Sequence, residues 1–438
     1  MKFFQVHETR DVLRLIEETY EPLERFEEVA LYEAFGRVLA EDVRAAEDVP
    51  GFDRSTVDGY AVRAQETYGA NESMPSFLDL TGVVEMGGEA GSVGAGQAKY
   101  IPTGGMMPDG ADAVVMIEHA EEVGALLNVY KQVAPGENVI RRGEDVRAGQ
   151  LILSRGHRLE PQDLGLMAAV GVSRVKVFAK PVVGILSTGD EIVPPETKQL
   201  KPGEIRDINT VAIGASLNSM GAEVIYGGIV KDQYEEYLAR AKALFEKVDM
   251  LIMSGGSSVG TRDYTVQVMQ ELGEPGILVH GISVKPGKPT ILAKAGRKPV
   301  VGLPGHPASA LVIFDLVVRR IVNRLYDRTP HPFDPRIRAR LSRNLPSAVG
   351  RSDYVRVRLE KRDGEVWAVP VFGKSGLVST LTESHGVIEI PGPKEGLLQG
   401  EWVEVNCFAG ERGIVSEEED LSGGHAAGCR SEETPGCC

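Results

Sequence analysis

Hydrophobic positions follow a helical period at the start of the chain. Val12, Leu13, Leu15 and Ile16 form one apolar face, which predicts an amphipathic helix over Thr9–Tyr20. From residue 181 to residue 326 the pattern changes to unbroken apolar runs that are separated by amphipathic segments. The chain is therefore expected to combine an N-terminal helix with a long region of alternating strands and helices.

This alternating region predicts a doubly wound α/β domain. Its apolar runs PVVGILS, DMLIMS and KPVVGLPG are continuous, as in strands that are buried on both faces of a parallel sheet. Helices are predicted over Asn209–Met220, where Gly221 ends the helix, and over Gln233–Val248. Strands that alternate with helices in this way build a mostly parallel sheet with helices on both sides.

The flanking regions have other patterns. YVRVRLEKRDGEVWAVPV alternates along two strands that are joined by a turn at Asp363-Gly364. We therefore predict an α/β multidomain protein: a central doubly wound, mostly parallel α/β domain, a discontinuous linker domain, a β-rich inserted domain and a small C-terminal β-domain. The predicted boundaries are 1–44 with 143–178 (linker and dimerisation), 45–142 (inserted), 179–328 (α/β), 332–408 (C-terminal β) and 409–438 (an acidic, cysteine-containing tail that is expected to be disordered).

The composition adds an acidic balance. Among 438 residues, 48 Lys and Arg stand against 63 Asp and Glu, a formal net charge of −15, which argues against a general nucleic-acid or anionic-membrane binder. No apolar stretch reaches the ~18–20 residues that would span a bilayer. The four cysteines all follow residue 406, so no disulfide framework supports the fold and a cytoplasmic location is expected.

Acidic and hydroxyl side chains cluster where the predicted strands end. Thr188, Asp190 and Glu191 follow PVVGILS, and Asp232 follows the strand predicted over Val224–Val230. In open parallel sheets, ligands bind beyond the carboxyl ends of the strands. These side chains are therefore expected at one ligand-facing edge, although adjacent acids are more often merely exposed.

The stretch MSGGSSVGTRDYT, residues 253–265, follows the strand DMLIMS at the same edge. Gly255 and Gly256 would let backbone amides approach a phosphate, and Ser258 adds a hydroxyl group. Asp263 offers a carboxylate to Mg²⁺. Taken alone, the loop is equally typical of a solvated turn in which Asp263 caps the following helix.

A third strand leads into Gly305-His306-Pro307. Pro307 fits a first helical turn, where free amides can hold an anion. His306 is a candidate general base, but a capping or hydrogen-bonding role is favoured.

Cationic groups are expected beside this edge. The Pro-Gly turn between Lys285 and Lys288 would direct two ammonium groups at one oxyanion, unless both are ordinary surface lysines. Arg356 and Arg358 share a face of the C-terminal hairpin, so that face is expected to be cationic.

Two polar stretches lie outside the α/β region. GFDRSTVDGYAVRA places Asp58 before a predicted strand, and YIPTGGMMPDGADAVVMIE places Thr103 in a turn. Both are typical of loops in a β-rich domain. If either reaches the phosphate edge, we expect it to do so across a domain or subunit boundary.

Eight motifs occur in the order of one known family. They are GFDRSTVDGYAV, IPTGG with PDGADAVV, RRGEDV, LSTGDEIV, GEIRDIN, SGGSSVGTRDY, VKPGKP and GLPGHPASA. From about residue 5 to residue 408 the chain closely resembles the bacterial molybdopterin molybdenumtransferases and the similar catalytic domain of gephyrin. This resemblance implies insertion of molybdate into the dithiolene of adenylated molybdopterin, with Mg²⁺-dependent release of AMP, to form molybdenum cofactor.

The pattern and the resemblance together imply the site residues. The expected catalytic acids are Asp58, Asp145, Glu191 and Asp263. The residues expected to bind substrate or nucleotide are Thr103, Thr188, Gly255, Gly256, Ser258, Pro304 and Pro307. Those expected to bind molybdate or another oxyanion are Lys285, Lys288, Ser309, Arg356 and Ser375. Magnesium is expected at Asp263 together with Asp190, Glu191 or Asp232.

The resemblance also implies partners. Relatives are elongated homodimers of four-domain subunits, so an active site between subunits is expected. Molybdopterin adenylyltransferase and cofactor-accepting enzymes are the candidate partners. Molybdate and tungstate stay alternatives because both are tetrahedral dianions of similar size.

Two other functions stay open at this point. Residues 181–326 alone resemble the enzyme of the preceding step, molybdopterin adenylyltransferase, but the flanking 180 residues and the β-domain argue against that reaction. The related domain of gephyrin also serves as a scaffold. The complete set of acids at the strand ends favours catalysis, because a scaffold need not keep it.

Overall fold

The computed structural model describes residues 6–255, 264–328 and 336–408, together with the backbone of residues 415–416. The chain divides into two compact units. One is Phe26–Phe178, and the other combines Met1–Arg25 with Ala179–Cys438. The second unit contains the α/β region and the C-terminal β-region.

A six-stranded sheet forms the centre of the second unit. Its strands, in spatial order, are Glu223–Val230, Val182–Thr188, Met250–Ser254, Lys298–Leu303, Ile291–Ala295 and Pro275–His280. The first four are parallel, and Ile291–Ala295 is antiparallel to both of its neighbours. Every residue of Met250–Ser254 is buried, which explains why the central strands are apolar throughout. The predicted, mostly parallel sheet is therefore confirmed.

Helices surround this sheet close to their predicted positions. In the second unit they are Thr9–Thr19, Asn209–Ser219, Tyr234–Phe245, Thr265–Glu271, Pro307–Ile313, Arg319–Leu325 and the short Ser379–Thr382, with a π-helical turn over Phe314–Val318. The N-terminal helix buries Val12 and Ile16 and packs against Arg319–Leu325. It thus belongs to the α/β unit, whereas the sequence had grouped it with residues 143–178.

The C-terminal region closes into a five-stranded barrel. Its strands are Arg336–Leu341, Ser352–Arg362, Glu365–Pro370, Gly386–Ile390 and Trp402–Cys407, each paired with two neighbours. Short strands at Val284–Lys285 and Val415–Ser416 lie parallel to Ser352–Arg362 at its two ends. Closure explains the alternating pattern, because inward positions such as Val357 and Leu359 fill the core.

Two further strand pairs complete the second unit. They are Ile192–Val193 with Ile205–Arg206, and Leu345–Pro346 with Gly396–Leu397. Among the described residues, no helix is long and apolar enough to cross a membrane.

The unit Phe26–Phe178 contains a second six-stranded sheet. Its strands, in spatial order, are Ala113–Met116, Gly59–Val62, Gln97–Ile101, Ser76–Val83, Leu126–Val129 and Ala120–Val123. The smaller pairs are Phe26–Ala30 with Arg174–Phe178, Val43–Arg44 with Leu151–Leu153, and Arg54–Ser55 with Val139–Ile140. The helix Pro161–Ala169 begins with Glu160 and Asp163 in a capping box.

This unit has separate hydrophobic cores. One surrounds Tyr60 and Leu127, and another surrounds Leu39, Met167 and Val177. We propose these cores as the inserted domain and the discontinuous domain, the latter without residues 1–25, which belong to the other unit.

Candidate active site at the strand ends

Three parallel strands end beside one another in the α/β sheet. The amide of Gly255 donates to the carbonyl of Leu303 at 3.3 Å. Gly255 has φ +101°, and a Cβ at this position would lie 2.1 Å from the carbonyl oxygen of Thr188. Only glycine therefore fits between the ends of Val182–Thr188 and Lys298–Leu303.

Asn209 ties these strand ends to a helix. Its buried amide donates to Ser254 Oγ and to the carbonyl of Gly305, both at 2.9 Å. This role was not predicted from the sequence, although Asn209 ends the motif GEIRDIN. A polar residue in the first position of a mostly apolar helix was the available signal.

The three predicted acids Asp190, Glu191 and Asp232 lie around one corner of this edge. Thr188 Oγ1 donates to Asp232 Oδ1 at 3.0 Å, and the Asp232 amide donates to Asp190 Oδ1 at 3.2 Å. Burial, together with the charges of Asp190 and Glu191, raises the pKa of Asp232, and the hydrogen bond from Thr188 opposes this. The edge is therefore locally anionic and favours a cation.

The magnesium prediction extends beyond these three acids. Asp263 lies outside the described residues, as do Gly256 and Ser258. Within residues 6–255, 264–328 and 336–408, no group of three or more His, Cys, Asp or Glu side chains is arranged to hold a metal ion. The predicted metal ligands therefore stay a prediction.

The basic turn joins the α/β region to the barrel. Lys285 pairs with Asp353 along the strand Ser352–Arg362, and Lys285 Nζ lies 3.1 Å from Asp353 Oδ2. Asp353, which was not predicted from the sequence, is only 3% exposed, whereas the Lys285 side chain is 57% exposed. The ammonium group can thus keep this contact and still face a ligand.

Lys288 closes the same turn. Its carbonyl accepts a hydrogen bond from the Ile282 amide at 2.9 Å. Between the two lysines, Gly287 lies directly against Ile313, so that a Cβ there would come within 2.5 Å of that side chain. The basic turn therefore rests on the helix that follows Pro304.

A barrel loop contacts the start of that helix. The carbonyl of Ser375 accepts from the Ala308 amide at 3.1 Å, and Ser375 Oγ lies 3.1 Å from Nδ1 of His306. Pro307 begins the helix, and Ser309, two residues farther on, is buried. His306 precedes the helix without capping it through its side chain.

Arg356 supports the same loop from the barrel. It is 7% exposed and donates from Nη2 to the carbonyl of Gly373 at 3.0 Å. Burial lowers the pKa of its guanidinium group. The predicted cationic hairpin face also carries Glu360, which binds Arg358 at 2.6 Å and Arg362 at 2.5 Å, so its positive charge is partly offset.

A second group of predicted residues lies in the unit Phe26–Phe178. Asp58 Oδ1 accepts from the Thr103 amide at 2.7 Å and from the Thr103 hydroxyl at 3.1 Å. Between these loops, Ser55 donates its amide to the carbonyl of Gly105 and accepts from the amide of Gly104. The motifs DRSTVDGY and PTGG therefore form one exposed polar surface.

The motif RRGED joins that surface. The Arg142 amide donates to Asp53 Oδ1, and its side chain binds Asp48, both at 2.7 Å. The amide of Ala148 and the Arg142 side chain lower the pKa of Asp48. Asp145 is exposed, and its amide donates to the carbonyl of Val49. Of the predicted site residues that the structure describes, Asp58, Thr103 and Asp145 lie in the unit Phe26–Phe178, and the others lie in the second unit.

Comparison with known proteins identifies the family. Molybdopterin molybdenumtransferase of Bacillus subtilis (strain 168) is 35% identical over 392 residues, which cover 88% of this chain and 90% of the relative. The chain belongs to the molybdopterin molybdenumtransferase family. Another molybdopterin molybdenumtransferase, from Haemophilus influenzae, is 34% identical over 385 residues, or 86% of this chain and 93% of that relative.

Three family models match consecutive parts of the chain. They are the MoeA N-terminal region (domain I and II) at residues 6–171, a "Probable molybdopterin binding domain" at residues 184–324, and the MoeA C-terminal region (domain IV) at residues 338–408. The crystal structure of the molybdopterin biosynthesis protein MoeA from Pyrococcus horikoshii OT3 has a TM-score of 0.80 and 31% identity, over 92% of this chain and 100% of that chain. The expected family and α/β multidomain fold are both confirmed.

Proposed function

We propose that this molybdopterin molybdenumtransferase family member inserts molybdate into the dithiolene of adenylated molybdopterin. In this reaction water or an oxygen atom of molybdate attacks the phosphoanhydride group of the adenylate, and AMP leaves. The two sulfur atoms bind molybdenum, and the oxygen that they displace leaves as water. The observation that supports the proposal is that acids, a backbone edge at Gly255 and a basic turn all occur in one unit of a chain whose relatives bear this name.

The acidic corner would hold the magnesium ion. Carboxylate oxygens are the ligands that Mg²⁺ prefers, and a dication would offset the burial and the repulsion from Asp190 and Glu191 that raise the pKa of Asp232. Asp263 would complete the site with Asp190, Glu191 or Asp232. When bound, Mg²⁺ neutralises the charge of the adenylate phosphates.

The strand ends would orient the nucleotide part of the substrate. Gly255 allows a phosphate to approach the backbone closely, because no side chain covers it. Thr188 is held by its bond to Asp232, and Pro304 is buried beneath the edge. We place Gly256 and Ser258 of the same loop in this role as well.

The oxyanion would bind nearer to the barrel. Lys285 and Lys288 supply positive charge, while Arg356, Ser309 and Ser375 supply hydrogen-bond donors. This combination suits a tetrahedral dianion, so tungstate is the competing substrate.

The predicted site residues of the unit Phe26–Phe178 would act on the active site of a partner subunit. We propose a homodimer in which Asp58, Thr103 and Asp145 of one subunit complete the site of the other. Molybdopterin adenylyltransferase would supply the adenylate, and cofactor-accepting enzymes would take the product.

The test is a reaction that contains the purified protein, adenylated molybdopterin, Mg²⁺ and molybdate, with AMP and molybdenum cofactor as readouts. Glu191→Gln should reduce AMP release at least about 100-fold, because it removes a charge from the acidic corner. Glu196→Gln is the matched control, since Glu196 is an exposed acid on the same loop.

Two results would contradict the proposal. One is the absence of AMP release by the wild-type protein in the complete mixture. The other is release of pyrophosphate from ATP and molybdopterin, which would assign the preceding adenylylation step instead.

A further inference from the structure

His306 makes one side-chain contact that its helix does not require. Its Nδ1 lies 3.1 Å from Ser375 Oγ, across the junction between the α/β region and the barrel. Although His306 precedes the helix Pro307–Ile313, its side chain makes no capping bond. Within the described part of the chain, the imidazole contacts Ser375 rather than the helix amides.

Other bonds fix the backbone of the loop that carries Ser375. Arg356 binds the carbonyl of Gly373 at 3.0 Å, and the Ala308 amide binds the carbonyl of Ser375 at 3.1 Å. These contacts hold the main chain on both sides of the Ser375 side chain. They leave the rotation of its hydroxyl group to His306.

The direction of the hydrogen bond between His306 Nδ1 and Ser375 Oγ decides whether Ser375 can donate its proton to an anion. A serine hydroxyl has one proton to donate and two lone pairs. If Nδ1–H donates to Oγ, the serine proton stays available for an oxyanion. If Nδ1 instead accepts that proton, only lone pairs face the ligand, and these repel a dianion.

We infer that His306 is a positioning residue for the oxyanion pocket and that its Nδ1–H orients the hydroxyl of Ser375 toward the substrate. This inference rests on the proposed function, in which Ser375 binds molybdate. His306 itself does not need to touch the substrate, so it acts on affinity for the oxyanion rather than on the bond-breaking step.

Side-chain geometry supplies a matched pair of variants. The amide nitrogen of asparagine occupies the place of Nδ1 of histidine, whereas that of glutamine occupies the place of Nε2. His306→Asn therefore keeps a donor for Ser375, and His306→Gln removes it from this position. Because His306 is exposed, both variants are expected to fold, and thermal unfolding checks this.

The experiment measures KM for molybdate, KM for adenylated molybdopterin, and kcat for AMP release. We expect His306→Gln to raise KM for molybdate roughly 10- to 150-fold, the loss of about one hydrogen bond to a charged group. The other two constants should stay within about twofold of the wild type. His306→Asn should stay near the wild type in all three.

A double-mutant cycle asks whether His306 acts through Ser375. In a Ser375→Ala background, His306→Gln should have no further effect on KM for molybdate. An equal effect in both backgrounds would overturn the inference, as would a wild-type KM for His306→Gln or a loss confined to kcat.

Equilibrium binding separates this inference from the proposed function. Calorimetric titration with molybdate alone requires no turnover, and His306→Gln should weaken binding by the same factor while His306→Asn does not. An inactive wild-type protein would refute the proposed function. The titration would still test the role of His306, because equal affinities of the two variants for molybdate would overturn that role.

Discussion

At the scale of single residues, Gly255 shows how closely the strand ends approach each other. Gly255→Ala combines a positive φ with a clash against the Thr188 carbonyl, so we expect a loss of roughly 2–4 kcal/mol in the free energy of unfolding. Chemical denaturation measures this loss. Gly350→Ala is the control, because Gly350 has φ +99° but a Cβ added there would have no other atom within 4 Å, and it should cost only about 1–2 kcal/mol. Equal losses would show that the close approach is unimportant.

A second residue-scale prediction concerns Asp232, whose pKa is raised in the folded protein by burial and by Asp190 and Glu191. A carboxyl group with a raised folded-state pKa destabilises the fold once the pH is high enough to ionise it. Asp232→Asn should therefore be more stable than the wild type at neutral pH. The difference in stability between the two proteins should shrink as the pH falls toward and below 3.8, the pKa of the carboxyl group in the unfolded state.

Thermal unfolding at several pH values tests this sign, with Glu196→Gln as the exposed control. At neutral pH, Mg²⁺ should reduce the stability difference between Asp232→Asn and the wild type, because a bound cation offsets the negative charge of the carboxylate. A constant difference across the pH range would mean that ionisation of Asp232 is not its cause.

At the scale of secondary-structure elements, Asn209 connects the helix Asn209–Ser219 to two strand ends. Asn209→Ala removes the bonds to Ser254 and Gly305 and leaves their oxygens without this donor. We expect a loss of about 2 kcal/mol in the free energy of unfolding, and weaker AMP binding, because the edge loosens. Asn218→Ala, at an exposed position near the end of the same helix, should change neither the denaturation midpoint nor AMP affinity. A similar loss in both variants would point to helix stability instead of the strand ends.

At the scale of the whole molecule, the predicted site residues fall into two units of one chain. If subunits share each site, mixing Asp58→Asn protein with Glu191→Gln protein should restore activity. Each mixed dimer would then contain one site with both changes and one site with neither. Recovery should approach about one quarter of the wild-type rate after random subunit exchange. Co-expression with two affinity tags isolates the mixed dimer, and no recovery would place the whole site within one chain.

Secondary-structure elements could be predicted from the sequence, whereas the contacts between them could not. The helix Thr9–Thr19 was predicted within one residue because its apolar period is local, yet its packing against Arg319–Leu325 was not. Likewise, the hairpin at Asp363-Gly364 was predicted from its alternation. The ion pairs of Glu360 with Arg358 and Arg362 were not predicted, although all three residues share one face.

The sequence by itself determined the central apolar strands, the amphipathic helices and the family, since periodicity and ordered motifs are properties of the chain alone. Only the tertiary structure decided which polar groups meet, as Lys285 meets Asp353 and His306 meets Ser375. Those partners lie 68 and 69 positions apart along the chain. Their contact depends on how the barrel docks on the α/β region, and no local pattern records that packing.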